Sequence, residues 1–226
     1  MTMSNVHKFQ YMMKIICIGI FYLLAFFALE NREISLHIIQ CGIDKWIPFC
    51  EYFIVPYLLW FFYVAATGLY FLFGNDSERE FKDLYYTLIA GMVVFLLISY
   101  FYPNGQVLRP EIIGDNIFKK LVLFLYETDT STNILPSLHV FYSVACGLAW
   151  EKNEKWNRKK GFMAGIRILT MSIVLSTMFL KQHSFIDVAM ALIMNGICYQ
   201  IFYAKAYSGV NVGAQHKKKK VEGIKL

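Results

Sequence analysis

The sequence predicts an all-α membrane protein with six transmembrane helices. Of its 226 residues, 57% are hydrophobic and only 17% are charged, which is too apolar and too poor in charge for a soluble domain. The apolar residues form long runs, which is typical of segments that are buried on all sides. Six of these runs approach the length of about 17 to 25 residues that a bilayer requires. We therefore expect residues 1–226 to form one membrane domain.

The predicted spans follow one another along the whole chain. They lie near residues 11–29, 52–73, 84–102, 135–150, 162–180 and 185–204, and the fourth is the shortest. The first run is as long as a full span and is not followed by a small-residue cleavage site, so we expect it to remain in the mature protein. The stretch 117–129 is too short to span, and we expect an interfacial helix there.

The basic residues predict the orientation of the chain. Lysine and arginine are concentrated in the linker 151–161 and in the tail 205–226, which contains "KKKK". By the positive-inside rule, both segments and both termini face the cytoplasm, with the plasma membrane as the expected location. The net charge of +6 then requires no nucleic-acid partner, because a basic tail beside a membrane contacts anionic lipid. The bilayer itself is the expected partner.

The cysteines do not indicate a metal site. Cys17, Cys146 and Cys198 fall within predicted spans, where they are most simply packing residues. Cys41 and Cys50 share the first outer loop, and we expect two free thiols there, with a disulfide as the alternative in an oxidising compartment. The spacing typical of metal ligands is absent from the sequence, so we expect no cofactor.

Three polar clusters lie on the outer side, and the first is "STMFLKQHSFIDV" (176–188). Lys181, His183 and Asp187 stand there in an otherwise apolar stretch, and each is costly to bury in hydrocarbon. His183 and Asp187 are spaced to share one face of a helix. The carboxylate can then hold one nitrogen of the imidazole and leave the other free.

The second cluster is "TDTSTNILPSLHV" (128–140), just before the fourth span. Pro136 suits the first turn of a helix, with a cap from Ser131, Thr132 or Asn133. The amides of Ser137, Leu138 and His139 would then be unpaired at a helix N-terminus, where anions bind.

The third cluster is "YPNGQVLRPEIIGDN" (102–116), after the third span. Its Arg109 can bind a phosphate through two parallel hydrogen bonds. Helix packing can bring the three clusters together at the extracytoplasmic ends of spans three to six. Two histidines, a carboxylate, an arginine and a helix N-terminus are the groups needed for phosphoryl transfer through a histidine nucleophile.

The three clusters resemble the motifs of the type 2 phosphatidic acid phosphatase and vanadium haloperoxidase superfamily. "PSLH" (136–139) resembles its central P-S-G-H motif. "STMFLKQHSFID" (176–187) resembles S-R-x5-H-x3-D, and "YPNGQVLRP" (102–110) resembles K-x6-R-P. The order, the intervals and the membrane side agree with the superfamily, and the six-span layout covers nearly the whole chain.

The resemblance implies a role for each matched residue. His183 would be the nucleophile that forms a phosphohistidine, oriented by Asp187. His139 would protonate the leaving alkoxide and later activate water. Arg109 would bind the phosphoryl oxygens, together with the amides around two residues of the second cluster, Ser137 and Leu138. Ser176 is a further candidate contact, and the scheme requires no metal.

Two positions depart from the superfamily pattern. The motif lysine is Tyr102 here, and the arginine after the motif serine is Thr177. Two phosphate-binding cations are therefore missing. Lys181 lies four residues after Thr177, on the same face if the helix continues, and we expect its ammonium to compensate. Lys119 and Lys120 are alternatives.

The sequence therefore predicts a membrane hydrolase that removes phosphate from a lipid, such as phosphatidate or a polyprenyl diphosphate. One alternative uses the same chemistry to transfer a lipid headgroup to an alcohol, as an inositol phosphorylceramide synthase does. Another, motivated by Tyr102 and Thr177, is a lipid-binding or transport protein that has kept the fold without the activity.

Overall fold

The computed structural model describes residues 3–204, and these are mainly helical. The α-helices are α1 (Asn5–Glu30), α2 (Ile54–Leu69), α3 (Glu78–Phe101), α4 (Ile117–Thr128), α5 (Leu138–Lys152), α6 (Lys160–Phe179) and α7 (Phe185–Cys198). Helix α2 follows the 3-10 turn Glu51–Phe53 and continues into a π-helical segment, Tyr70–Gly74, as α7 does into Tyr199–Ala204. Another 3-10 turn covers Gly42–Lys45. The predicted basic tail, 205–226, lies outside the described residues.

Within residues 3–204, five helical segments are long and apolar enough to cross a membrane, so the protein is a membrane-embedded helical protein. They are Asn5–Glu30, Glu51–Gly74, Glu78–Phe101, Lys160–Phe179 and Phe185–Ala204. The fourth predicted span corresponds to α5, which has 15 residues. At 1.5 Å per residue it covers about 22 Å, less than the roughly 30 Å of a hydrocarbon core. By length alone, α5 does not qualify as a transmembrane span, so the described residues contain five of the six predicted spans.

Helix α5 begins three residues later than the sequence predicted and ends two residues later. Its cap is Ser137, whose hydroxyl accepts from the amide of Val140 at 3.3 Å, so Pro136 precedes the helix. The residues before it are held in a loop by the buried Asn104. Its Oδ1 accepts from two consecutive backbone amides at 3.0 and 2.9 Å, those of Ile134 and Leu135. None of the three predicted caps is used, because this loop ends at Ser137.

Helix α5 lies at the centre of the bundle and packs on α2, α3, α6 and α7. The approach of α3 is close enough to require a glycine: a Cβ at Gly91 would lie 2.2 Å from the ring of Phe141. Helix α1, by contrast, contains no buried residue. A short core helix is thus surrounded by longer apolar helices, which leave their outer faces to lipid.

The loops at one end of the bundle are tied together. The two-residue strands β1 (His37–Ile38) and β2 (Asn104–Gly105) pair in parallel and join the segment after α1 to the segment after α3. Glu30, at the end of α1, accepts hydrogen bonds from the side chains of three residues in the loop before α5, Thr130, Thr132 and Asn133. The ends of α1 and α3 therefore meet the beginning of α5.

Candidate active site

The structure brings His139 and His183 together, with 5.8 Å between their ring centroids. His139 is the second residue of α5, and His183 lies in the turn between α6 and α7. Both line one cleft, together with Asp129 and Gln182. Two polar clusters that are distant in sequence thus converge on one site.

His183 is held by Asp187 through the cap of α7. Its Nδ1 lies 3.3 Å from Oδ2 of the buried Asp187, and the same oxygen accepts from the amide of Ser184 at 2.8 Å. Because α7 begins at Phe185, His183 precedes the helix and does not share a helical face with Asp187. The capping box of Ser184 and Asp187 makes the contact instead. With Nδ1 engaged, Nε2 is the nitrogen left for chemistry.

His139 is positioned by aromatic packing. Its ring lies 4.7 Å from the ring of Tyr57 and 4.4 Å from the ring of Trp60, both on α2. The indole N–H of Trp60 also donates to the backbone carbonyl of His139 at 3.1 Å. Within residues 3–204, no side-chain or backbone group is hydrogen-bonded to its imidazole. The ring is thus held in place while both nitrogens stay available for proton transfer.

Arg109 is fixed beside this pair. Its guanidinium lies 4.4 Å from the ring centroid of Tyr126 and donates to the backbone carbonyls of Tyr126 and Asp129 at 3.0 and 2.5 Å. It also donates to Oε1 of Gln182 at 2.6 Å, and Gln182 is the residue before His183. Burial lowers the pKa of Arg109, although the Asp129 carboxylate opposes this effect. Gln182 therefore links the arginine to the histidine.

Two buried N–H donors of the hydrogen-bonded pair Arg109 and Gln182 lack an acceptor in the part of the chain that the structure describes. They are Nε of Arg109 and Nε2 of Gln182. A buried donor without a partner is costly, so such groups in a site point to a ligand oxygen. No sequence motif assigns a role to Gln182. In the sequence, only its position directly before His183 could have indicated that it belongs to the site.

The N-terminus of α5 contributes less than the sequence predicted. The amide of Ser137 donates to the backbone carbonyl of Asp187 at 3.4 Å, so it is not open to an anion. The amides of Leu138 and His139 have no acceptor among residues 3–204. These two amides in the first turn of α5 can bind phosphoryl oxygens.

The structure contradicts the predicted role of Lys181. Helix α6 ends at Phe179, so Lys181 lies beyond it, with a φ of 54°, and does not share a helical face with Thr177. Its ammonium donates to the backbone carbonyls of Asp44, at 2.8 Å, and Ile47. Lys181 is thus bound to the loop between α1 and α2 and does not replace the missing phosphate-binding cations.

Ser176 is also directed elsewhere. It is fully buried in α6, and its hydroxyl donates to the carbonyl of Ile173 at 2.7 Å. The neighbouring Thr177 makes the same kind of bond to Val174 at 2.8 Å. Both hydroxyls satisfy the backbone of their own helix, so the predicted contact of Ser176 with phosphate is not supported.

Asp129 lines the cleft, although no sequence motif assigns it a role. Its Oδ2 accepts from the hydroxyl of the buried Tyr57 at 3.0 Å, and Tyr57 packs on His139. Burial raises the pKa of Asp129, opposed by His183, by the Tyr57 hydroxyl and by Arg109. In the sequence, only its place in the polar run before "PSLH" could have indicated that Asp129 belongs to the site.

The other wall of the cleft is aromatic. Tyr22 and Phe26 of α1 and Phe95 of α3 line it, with ring centroids 5.9 to 6.3 Å apart. All three belong to helices long enough to span the membrane. The cleft thus combines an apolar side that faces the bundle with a polar side made of loops. This combination suits an amphiphilic ligand.

The remaining predictions concern thiols, metals and family. Cys41 and Cys50 are free thiols in the structure. Among residues 3–204, no group of three or more His, Cys, Asp or Glu side chains is arranged to hold a metal ion. Comparison of the chain with models of known protein families, with curated proteins and with solved structures finds no match.

Proposed function

We propose that this protein is an integral membrane enzyme that hydrolyses a phosphate ester of a lipid through a phosphohistidine at His183. The observation that carries the proposal is the pairing of His183 with His139 at 5.8 Å, with His183 held by Asp187. The three motifs that resemble the type 2 phosphatidic acid phosphatase superfamily support the same chemistry.

In the first step, Nε2 of His183 attacks phosphorus and the bond from phosphorus to the lipid oxygen breaks. His139 gives a proton to the leaving alkoxide. Asp187 stabilises the positive charge that develops on the His183 ring. In the second step, His139 takes a proton from water, the water oxygen attacks phosphorus, and the phosphorus–nitrogen bond breaks. Inorganic phosphate leaves, and both histidines return to their initial state.

The phosphoryl oxygens are bound by N–H groups that have no acceptor among residues 3–204. They are Nε2 of Gln182, Nε of Arg109, which binds Gln182, and the amides of Leu138 and His139 at the start of α5. Donors fixed in this way stabilise the negative charge of the transition state without having to reorganise.

The substrate is a lipid because the cleft has an aromatic wall made by α1 and α3. In the proposed topology, α5 completes a six-span layout, both termini are cytoplasmic, and the site faces outward in the plasma membrane. The headgroup then enters the loop side of the cleft while the chains remain in the bilayer.

Phosphate release by purified protein tests the proposal. We expect release from phosphatidate, lysophosphatidate or a polyprenyl diphosphate, inhibition by vanadate, and loss of about three orders of magnitude or more in His183→Ala. His37→Ala is the matched control, since His37 is exposed and stacks on Tyr102 at 4.2 Å. Equal release by wild type and His183→Ala would reject the phosphatase, and equal turnover of phosphodiester lipids as well would reject the enzyme and favour a binding or transport protein.

Transfer of a lipid headgroup to an alcohol is the second candidate, and the charge of the site favours it. Lys181 is bound to the first loop, whereas two carboxylates lie near His183: Asp187 contacts its ring, and Asp129 lies close enough to interact electrostatically with both His183 and Arg109. A phosphomonoester brings roughly two negative charges to such a site, whereas a phosphodiester brings one. Product analysis with added glycerol or inositol decides: a new phosphodiester indicates transfer, and phosphate alone indicates hydrolysis.

A further inference from the structure

The loop wall of the cleft, residues 129–134, offers hydrogen-bond acceptors. Asn133 is 5% exposed, and its Oδ1 is buried without a partner among the described residues. Its backbone is held with a φ of 50° by a hydrogen bond to Asn104 at 2.6 Å, so this orientation is built into the loop. Asp129 adds a carboxylate, one oxygen of which is bound by Tyr57.

Three side-chain donors of the same wall are already used. The hydroxyls of Thr130 and Thr132 donate to Glu30 at 2.5 and 2.6 Å, and the amide nitrogen of Asn133 donates to it at 3.3 Å. Glu30 thereby places a second carboxylate directly behind the loop. Between residues 129 and 134 there is no lysine or arginine. The wall therefore offers the cleft the Asp129 carboxylate and the Asn133 carbonyl as acceptors, while the side-chain donors of three of its residues are directed at Glu30.

The opposite wall consists of the rings of Tyr22, Phe26 and Phe95. Aromatic faces attract cations, and a carboxylate beside them strengthens the attraction. A neutral polyol, by contrast, needs donors and acceptors in alternation, because each of its hydroxyls does both. Acceptors, carboxylates and aromatic faces together select a positively charged ligand group.

We propose that the lipid substrate carries an ammonium group, which binds between Asp129 and the aromatic wall while its phosphate lies at His183. The substrate class is an amino-alcohol phosphodiester lipid. The inference rests on the proposed chemistry at His183, and it names the headgroup. His183 attacks phosphorus, the bond to the lipid alcohol breaks, and that alcohol leaves with a proton from His139. The amino-alcohol phosphate remains on His183 until water or an alcohol, deprotonated by His139, displaces it.

The test measures diacylglycerol formed by purified protein from four lipids with the same acyl chains. Phosphatidylethanolamine and phosphatidylcholine carry an ammonium, phosphatidylglycerol is a diester without one, and phosphatidate is the monoester. We expect wild type to prefer the ammonium lipids over phosphatidylglycerol by about tenfold in kcat/KM. Asp129→Asn should reduce this ratio to near one. Asp115→Asn, which removes an exposed carboxylate bound to Lys120, is the matched control and should keep it.

A second variant protects the test against loss of folding in Asp129→Asn. Phe26→Leu keeps an apolar side chain and removes one aromatic face, and it should lower the same ratio several-fold. In wild type, tetramethylammonium chloride should inhibit turnover more strongly than sodium chloride at equal ionic strength.

Each result decides between the two proposals. Equal turnover of phosphatidylethanolamine and phosphatidylglycerol by wild type, or an unchanged ratio in Asp129→Asn and Phe26→Leu, overturns the ammonium site. Turnover of phosphatidate with none of the ammonium lipids overturns it as well, but leaves the histidine enzyme standing. If wild type forms no more diacylglycerol than His183→Ala from any lipid, the enzyme itself is rejected, and the headgroup inference with it.

Discussion

The carboxylate of Asp44 caps α7 from a loop 141 positions earlier, by accepting from the amide of Phe185 at 2.7 Å. Its other oxygen accepts from the hydroxyl of Ser184 at 2.8 Å and from the amide of Cys41 at 2.7 Å. Ser184 in turn donates its amide to Asp187, which holds His183. The loop between α1 and α2 therefore fixes the turn that carries the proposed nucleophile.

Asp44→Asn should destabilise the protein and weaken catalysis together. An asparagine has one acceptor oxygen, so its NH₂ group would face donors that now bind a carboxylate. Losing hydrogen bonds to a charged group costs about 1.5 to 3 kcal/mol each, so the melting temperature in detergent should fall by several degrees. Phosphate release should fall because His183 is less well oriented. Asp115→Asn is the control, and an Asp44→Asn protein that melts like it would contradict this role.

The stabilisation by Asp44 should depend on pH. Burial alone would raise the pKa of Asp44, but hydrogen bonds from Phe185, Cys41 and Ser184 outweigh it and hold the pKa below its usual value of 3.8. A depressed pKa contributes stability that is present above the unfolded value and is lost as the pH falls through the folded one. The difference in melting temperature between wild type and Asp44→Asn should be constant from pH 7 to 5 and shrink below about pH 4. A difference that is as large at pH 3 as at pH 7 would argue against this.

Lys181→Met should affect stability more than substrate binding. The ammonium is bound to the carbonyls of Asp44 and Ile47, so its loss loosens the same loop. We expect a lower melting temperature with a KM within about twofold of wild type. Arg109→Lys should instead raise KM more than it lowers the melting temperature, since a lysine cannot reproduce the fork of hydrogen bonds to Asp129 and Gln182. A KM raised equally in both variants would restore Lys181 as a phosphate ligand.

The apolar runs predicted the long helices because hydrophobic length is a local property. Helices α1, α3 and α6 match their predicted spans to within a few residues, apart from the first six residues of α1 and α3. Helix α5 was misjudged because its start depends on Asn104, about 30 positions away, which holds the preceding loop. Such a side-chain contact leaves no periodic signal in the sequence.

The residues of the site divide in the same way, into those that local sequence patterns predict and those that depend on contacts between distant segments. Motif spacing singled out His139, His183 and Asp187, which the structure brings together, because these residues lie at fixed intervals within short segments. The contacts of Lys181 and of Asp129 depend on loops and helices that meet only in the folded chain. A lysine near a phosphate motif can serve the phosphate or the fold, and only its contacts distinguish the two.

Gln182→Leu tests the buried donors beside His183. The leucine keeps the volume but removes Nε2, which has no acceptor among residues 3–204, and Oε1, which binds Arg109. Losing a charge-stabilising donor should lower kcat by about a hundredfold and weaken inhibition by vanadate. Gln106→Leu is a comparison variant, because its side-chain amide donates to the backbone of Lys181 at 2.8 Å. Retained vanadate affinity in Gln182→Leu would place Gln182 outside the phosphate site.

The contact of α3 with α5 should control the position of His139. A Cβ at Gly91 would lie 2.2, 2.4 and 2.9 Å from three atoms of the fully buried Phe141 ring, two residues after His139. Gly91→Ala therefore forces the helices apart, and we expect it to cost about 1 to 3 kcal/mol in stability. Activity should fall further than stability explains, because the first turn of α5 moves with the ring.

Phe141→Leu in the same protein should restore both properties in part, since the smaller side chain leaves room for the methyl group. Gly165→Ala is the control: a Cβ there meets nothing within 4 Å, so melting should be unchanged or slightly higher. If Gly91→Ala melts like Gly165→Ala, the two helices are not packed as closely as the structure describes.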